Sequence, residues 1–173
     1  MMNLKRLFQR PKPPERRVYE AIVAAARRPA FYTGFGVADT VDGRFDMISL
    51  HAFLVLDRLK GKEQAFRQGL VDELFRDMDR SLREMGVGDV SVGKKVRKMA
   101  EVFYGRVAAY DRGFEEGATS LAAAIARNVF PDDPDGGQAD RLVNYMLDQR
   151  THLTNLAPAV IAAGDVQFKE PSP

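Results

Sequence analysis

The sequence predicts an all-α fold, a single compact domain of about six helices over residues 15–173 behind a basic, proline-containing tail at residues 1–14. Three observations carry this reading. Apolar residues recur at helical spacing in segment after segment from about residue 15 onward. No period-2 strand series and no internal repeat interrupts them. The length of 173 residues, with 45% hydrophobic and 29% charged side chains, suits one ordinary globular domain.

The first predicted helix runs from Glu15 to Arg28, with Val18, Ile22 and Ala25/Ala26 on one face and Pro29 as its stop. An aromatic, glycine-rich loop follows from Ala30 to Gly43, carrying Phe31, Tyr32, Phe35 and Val37. Asp42 is placed to N-cap the next helix, Arg44 to about Lys60, with Asp46 in its first turn. Phe45, Ile48, Ala52, Val55 and Leu59 form one stripe of it, and Leu50, Phe53, Leu54 and Leu56 fill most of the rest. A helix apolar nearly all round is buried on several sides, so this one is expected at the centre of the core.

The third helix spans about Glu63 to Met85, with Phe66, Leu70, Leu74, Met78 and Leu82 inward. Glu63–Arg67, Asp72–Arg76 and Asp79–Arg83 are i,i+4 pairs on its polar face. The acidic residues Glu73, Asp77, Asp79 and Glu84 are accounted for by their arginine neighbours. The fourth helix starts near Ser91 and reaches Arg112, with Gly113 and Gly117 bracketing a break. A fifth takes Thr119 to Asn128. The last long helix carries Leu142, Tyr145, Met146, Gln149 and Leu153, opens on a capping box of Asp135 and Gln138, and restarts at Pro158. Val166 to Phe168 forms a short extended tail.

Composition excludes several functions. There is no cysteine, which removes disulfides, thiolate metal sites and cysteine nucleophiles together, and two histidines rule out a His-rich metal centre. No apolar run approaches the roughly 18–20 residues of a membrane span. Residues 1–17 hold six basic groups against one acid, while the rest of the chain holds 20 basic and 23 acidic groups. This basic tail, with Leu4, Leu7 and Phe8 on one side and Lys5 and Arg6 pointing away, reads as an interfacial anchor or as a frayed, solvated terminus. It lacks the apolar core and cleavage site of a secretory signal.

Short motifs add little chemistry. Gly88 to Lys94 has the spacing of a phosphate-binding loop, but Lys95 stands where Ser or Thr must hold magnesium, and a helix precedes it instead of a strand. Asp132-Asp133-Pro134-Asp135 is broken by prolines and glycines, so it reads as a polar interhelix loop. His51, on the most apolar helix, reads as a hydrogen-bonded core histidine. Asp148–His152 has a ligand spacing with no second pair to complete a site. No catalytic signature is visible, and neither a metal nor a cofactor is expected. Lys94, Lys95, Arg97 and Lys98 fall in the first two turns of the fourth helix, where they form either an anion seat beside free N–H groups or a solvated basic face.

Several segments taken together are more specific. They are Gly36-Val37-Ala38-Asp39-Thr40, Asp42-Gly43-Arg44-Phe45-Asp46, Leu50-His51 and Phe75-Arg76-Asp77-Met78-Asp79. Arg83 to Asp89, Val92 to Met99 and Phe103-Tyr104-Gly105-Arg106 continue the series. In order and spacing the chain resembles the ubiquinol–cytochrome c chaperone family in its short bacterial form, strongly over about residues 15–115 and more loosely beyond. The resemblance implies an all-helical, non-enzymatic assembly factor for the cytochrome bc1 complex. Relatives of that family bind newly made cytochrome b, and act near the ribosomal exit tunnel with a small partner protein. The chain is expected to consist of the shared domain, without the long N-terminal extension of eukaryotic forms.

On this footing the candidate client-binding set is Phe31, Tyr32, Phe35, Val37, Asp39, Asp42, Arg44 and His51, with the aromatic loop beside the apolar helix as the groove. The candidate set facing an anionic membrane or ribosome is Lys94, Lys95, Arg97, Lys98, Arg106, Lys5 and Arg6. Met78, Met85 and Met99 either adapt to client side chains or fill the core. The expected partners are nascent or newly inserted cytochrome b, an anionic membrane surface and the ribosome, and not DNA. The expected location is the cytoplasmic face of a bacterial inner membrane, or the matrix side in a mitochondrion. A haem- or small-molecule-binding protein with a buried pocket near His51 and Tyr104 stays open as a second reading, and a membrane-surface scaffold needing only the tail as a third.

Overall fold

Helix α3, Val41–Arg58, is the axis of the molecule. Every residue from Phe45 to Leu56 on it is buried, as its nearly continuous apolar surface requires. The structure is a computed structural model and describes residues 11–133 and 137–172. Among these residues there are eight helices and no strand: α1 Pro14–Ala26, α2 Pro29–Thr33, α3, α4 Gln64–Glu84, α5 Asp89–Glu116, α6 Ala118–Val129, α7 Gln138–Thr154 and α8 Pro158–Ala162. Six are long, as the periodicity indicates, and α2 and α8 have five residues each.

Helices α1, α5, α6 and α7 surround α3, and α4 packs between α1 and α5. One core unites them, from Val18 and Ile22 through Leu50, Phe53 and Leu54 to Tyr110, Ile125 and Met146. A fully buried side chain of this kind contributes about 1.5–3 kcal/mol.

Several local expectations need correction. Thr40, not Asp42, caps α3: its Oγ1 accepts from the Gly43 amide at 3.1 Å. The helix therefore starts earlier, and Asp42 sits in its first turn. Gly43 permits that start, because a Cβ there would lie 2.0 Å from the Ala38 carbonyl oxygen. Helix α5 begins at Asp89 and continues through Gly113 to Glu116, so only Gly117 (φ 109°) ends it. Gly113 serves a helix crossing instead, since a Cβ there would come within 2.8 Å of Leu121 Cα on α6. Of the expected i,i+4 pairs on α4, Asp79–Arg83 is present, while Arg76 turns to Glu73 and Asp72 accepts from Gln68. Glu73, Asp77, Asp79 and Glu84 all pair with arginines. Asp135 of the expected capping box lies outside the described residues.

The C-terminal segment is bound to the domain. Phe168 is buried with its ring 5.1 Å from that of His51. The buried Gln149 amide clasps Lys169, accepting from its N–H at 3.0 Å and donating to its carbonyl at 3.2 Å. Arg28 donates to the Phe168 and Lys169 carbonyls.

Candidate functional site

The aromatic segment is not a surface groove. Phe31, Phe35 and Val37 are buried, because Pro29 starts the short helix α2 and that turn drives both rings inward against Tyr145. Tyr32 is half-buried, with its hydroxyl donating to the Ala26 carbonyl. These four residues act as core and loop anchors.

His51 is wholly buried. Its Nδ1 lies 2.7 Å from the Met47 carbonyl, which can only accept, so Nδ1 carries the proton. Nε2 therefore accepts from the Tyr145 hydroxyl at 2.8 Å. Burial pulls the imidazole down to about 4 and keeps it neutral at pH 7. Tyr104 is 53% exposed on α5 and packs against Phe75 and Phe103. His51 contacts Phe31, Tyr145 and Phe168 instead. The expected pocket joining His51 to Tyr104 does not form, because their helices present them to different surroundings. His152 is likewise occupied, its Nε2 3.0 Å from the Gln167 carbonyl.

The apolar concavity lies one face away, between the start of α3 and the facing sides of α4 and α5. Its volume is about 590 Å³. Phe45 and Ile48 of α3, Met78 and Leu82 of α4, and Met99 and Val102 of α5 form its floor, and Val41 and Met85 form its lips. Val41 and Met85 are 59% and 56% exposed, unusual for large apolar side chains. Helical spacing explains the walls: Met78, Ser81, Leu82 and Met85 share one side of α4, and Lys95, Lys98, Met99, Val102 and Arg106 share one side of α5. The three methionines, read from sequence as core or client-adapting, lie where buried and exposed surface meet.

Charged groups border this apolar floor: Arg27, Arg44, Lys95, Lys98 and Arg106, with Asp42 as the acidic member. Arg44 is held by Asp39 at 2.7 Å and Lys98 by Glu101 at 3.3 Å. Arg106 pairs with Asp46, and its guanidinium lies over the Phe45 ring, 5.4 Å from the centroid. Burial pushes the Asp46 carboxyl up to about 6 against the pull of Arg106, and Asp42 adds to the rise. Arg106 and Asp42 also line a second cavity of about 480 Å³ with Thr40, Asn128 and Asp132, and so stand between the two.

The basic cluster is divided by this geometry. Lys95 and Lys98 border the groove, whereas Lys94 and Arg97 are exposed outside its lining. Because α5 starts at Asp89, the cluster falls in the second and third turns, beyond the free N–H groups. Arg83 engages Asp89 at the helix start. The cluster is therefore a solvated basic face and not a helix-terminus anion seat. Lys5 and Arg6 lie outside the described residues. Among the client-binding candidates, Asp42 and Arg44 line the groove, and Asp39 supports it through Arg44. Sequence reasoning did not assign Phe45, Ile48 and Val102 to the groove, although the excess of apolar residues around α3 signalled the first two.

The family model of the ubiquinol-cytochrome C chaperone matches residues 33–168, which include all of the groove except Arg27. The Xenopus laevis ubiquinol-cytochrome-c reductase complex assembly factor 1 is 28% identical over 160 residues, covering 88% of this chain and 79% of that protein. The Saccharomyces cerevisiae protein CBP3, mitochondrial, is 27% identical over 149 residues, covering 82% of this chain and 44% of its own length. The crystal structure of the Cbp3 homolog from Brucella abortus matches with a TM-score of 0.82 at 45% identity, covering 91% of this chain and 89% of that one. The chain thus spans less than half of the yeast relative and most of the frog and Brucella ones. With the family pattern running through α3, α4 and α5, the chain belongs to the ubiquinol-cytochrome C chaperone family.

Proposed function

We propose that this protein is an assembly chaperone for the cytochrome bc1 complex that shields an apolar segment of newly synthesised cytochrome b in the α3–α4–α5 groove and catalyses no reaction. The observation that carries this reading is the groove itself: exposed lips of Val41 and Met85 and half-buried Met99 and Val102 over a floor of Phe45, Ile48 and Leu82, ringed by charge. Flexible methionines let one surface fit several apolar side chains, and the charged rim opposes self-association. The names of the relatives, which are assembly factors of the ubiquinol–cytochrome c reductase complex, support a role in the assembly of that complex. Lys94 and Arg97, with the basic tail, would face anionic lipid or the ribosome while the groove holds its client. No helix among the described residues is long and apolar enough to cross a membrane, which accords with a peripheral position at the inner membrane.

The test is capture of the tagged protein from cells making respiratory complexes, with identification of what accompanies it. Enrichment of cytochrome b that disappears when translation is blocked, and that Val102→Glu abolishes, is the expected result. Cytochrome b absent from the captured material would overturn the reading.

A further inference from the structure

We infer that the α4–α5 turn is a membrane-inserting tip, at which Val90 enters the interface of an anionic bilayer while Lys94 and Arg97 hold its phosphates. The inference rests on the peripheral membrane position proposed above. It starts from Val90, which is 98% exposed at the beginning of α5. Val90 and Val92 are two residues apart on one helix and so face nearly opposite sides. Val92 is the one that is buried, and Val90 is turned away from the domain. Met85, also exposed, stands across the turn at the end of α4.

Cations follow directly. From Asp89 to Lys98 the chain carries Lys94, Lys95, Arg97 and Lys98 against one carboxylate, Asp89, which Arg83 already engages. Val90, Lys94 and Arg97 are spaced i, i+4 and i+7, and all three are exposed on one face of α5. Among the described residues, neither Lys94 nor Arg97 has an ion-pair partner. Along the helix axis Lys94 lies about 6 Å and Arg97 about 10 Å behind Val90. With the valine just below the headgroups, both cations stand at phosphate level, which their long side chains reach by extending. An RNA backbone would satisfy the cations but leave Val90 in water, so a lipid surface accounts for both features.

The tip and the groove share one end of the molecule. Helices α3 and α5 run in the same direction, since Asp46 meets Arg106 and, further along both, Phe53 meets Tyr110 and Phe114. Val41, at the start of α3, therefore lies on the tip side of the Asp46–Arg106 pair, with Met85 as the other lip. Insertion of Val90 thus sets the mouth of the groove against the lipid. An apolar segment that leaves the bilayer beside the tip reaches the groove without crossing open water.

The chain has no cysteine, so Val90→Cys and Leu147→Cys each create a unique labelling site in the full chain. Leu147 is the control: it is exposed on α7, whose Arg150 pairs with Asp57 at the far end of α3. Each variant carries an environment-sensitive fluorophore and is titrated with vesicles of phosphatidylcholine, with and without phosphatidylglycerol. The expected result is a blue shift for the label at Val90 and none at Leu147, seen only with phosphatidylglycerol and quenched by lipids spin-labelled near the headgroup. Val90→Asn, which leaves the charge unchanged, is expected to weaken sedimentation with those vesicles about tenfold. Sedimentation with no shift at Val90, or unaltered in V90N, overturns the tip and leaves the peripheral position to another part of the chain. Equal shifts with both kinds of vesicle overturn the part given to the cations. No sedimentation at all overturns the tip and the peripheral position together. A shift with a short RNA hairpin and none with vesicles gives this face to nucleic acid and overturns the lipid assignment.

Discussion

Arg106 of α5 pairs with Asp46 of α3 between the apolar groove and the second cavity behind it, with Arg106 12% and Asp46 6% exposed at the side chain. The Arg106 Nε and Nη1 have no hydrogen-bond partner in the structure, so Asp46 carries most of the burden of keeping that cation in place. A buried pair of this kind makes the groove wall sensitive to loss of either partner.

Arg106→Met leaves a buried carboxylate alone and is expected to cost about 3–5 kcal/mol at pH 7. The cost shrinks as pH falls, because protonation removes the unpaired charge, and it does so from above the native Asp46 value of about 6, since Arg106 no longer holds the carboxyl down. Asp46→Asn combined with Arg106→Met should recover much of the loss. Urea unfolding of both variants at pH 5 and pH 7.5 checks this, and a pH-independent penalty would argue against a charged Asp46.

His51 has the opposite pH sign to Asp46. Its folded-state value, near 4, is below the unfolded value of 6.5. The stability that the neutral imidazole contributes is full above pH 6.5 and is lost as pH falls toward 4, about 3 kcal/mol over the window. Tyr145→Phe removes the donor to Nε2 and should cost about 1–3 kcal/mol. Imidazole NMR signals of His51 that titrate near pH 6.5 would refute the buried, neutral assignment.

Gly113→Ala drives a Cβ against the Leu121 backbone and should lower stability by about 1–3 kcal/mol by forcing α5 and α6 apart. Gly105→Ala, where nothing lies within 4 Å, is the control and should be neutral or slightly stabilising through helix propensity. Thermal unfolding of the two side by side separates contact from propensity, and equal melting temperatures would show that the crossing tolerates a methyl group.

Met85→Glu changes a 56% exposed lip of the groove and should alter stability by less than about 0.5 kcal/mol. Cytochrome bc1 content of cells carrying it should nonetheless fall. Wild-type content with a folded mutant protein would remove Met85 from the client surface.

Changing Lys94, Lys95, Arg97 and Lys98 together to Glu should leave the fold intact, since all four are exposed. It should lower bc1 levels and weaken binding to anionic vesicles at low salt. Removing residues 1–10 should weaken vesicle binding further. Sedimentation with vesicles unchanged in both variants would exclude the basic face and the tail as membrane contacts.

Much of the architecture was legible because helical periodicity is a local property. The stripes of α1, α4 and α5 and the all-round apolar surface of α3 are written in residues three and four apart, and the six long helices follow from them. His51 as a hydrogen-bonded core residue was legible for the same reason. The groove was misplaced because exposure is not local. Phe31 and Phe35 have the composition of a sticky loop, yet one turn of helix after Pro29 buries them against Tyr145, more than a hundred residues away.

The amino-acid order by itself determined the helices, the family, the absence of thiol chemistry and the uneven charge of tail and body. Only the tertiary structure decided which apolar faces remain uncovered. Phe45 and Val102 look like any other core positions along their helices. They line a groove because residues of α3, α4 and α5 meet there and no further helix among the described residues covers its exposed lips, Val41 and Met85. Periodicity specifies the side of a helix that seeks burial, while the arrangement of its neighbours specifies whether this protein or a partner supplies it.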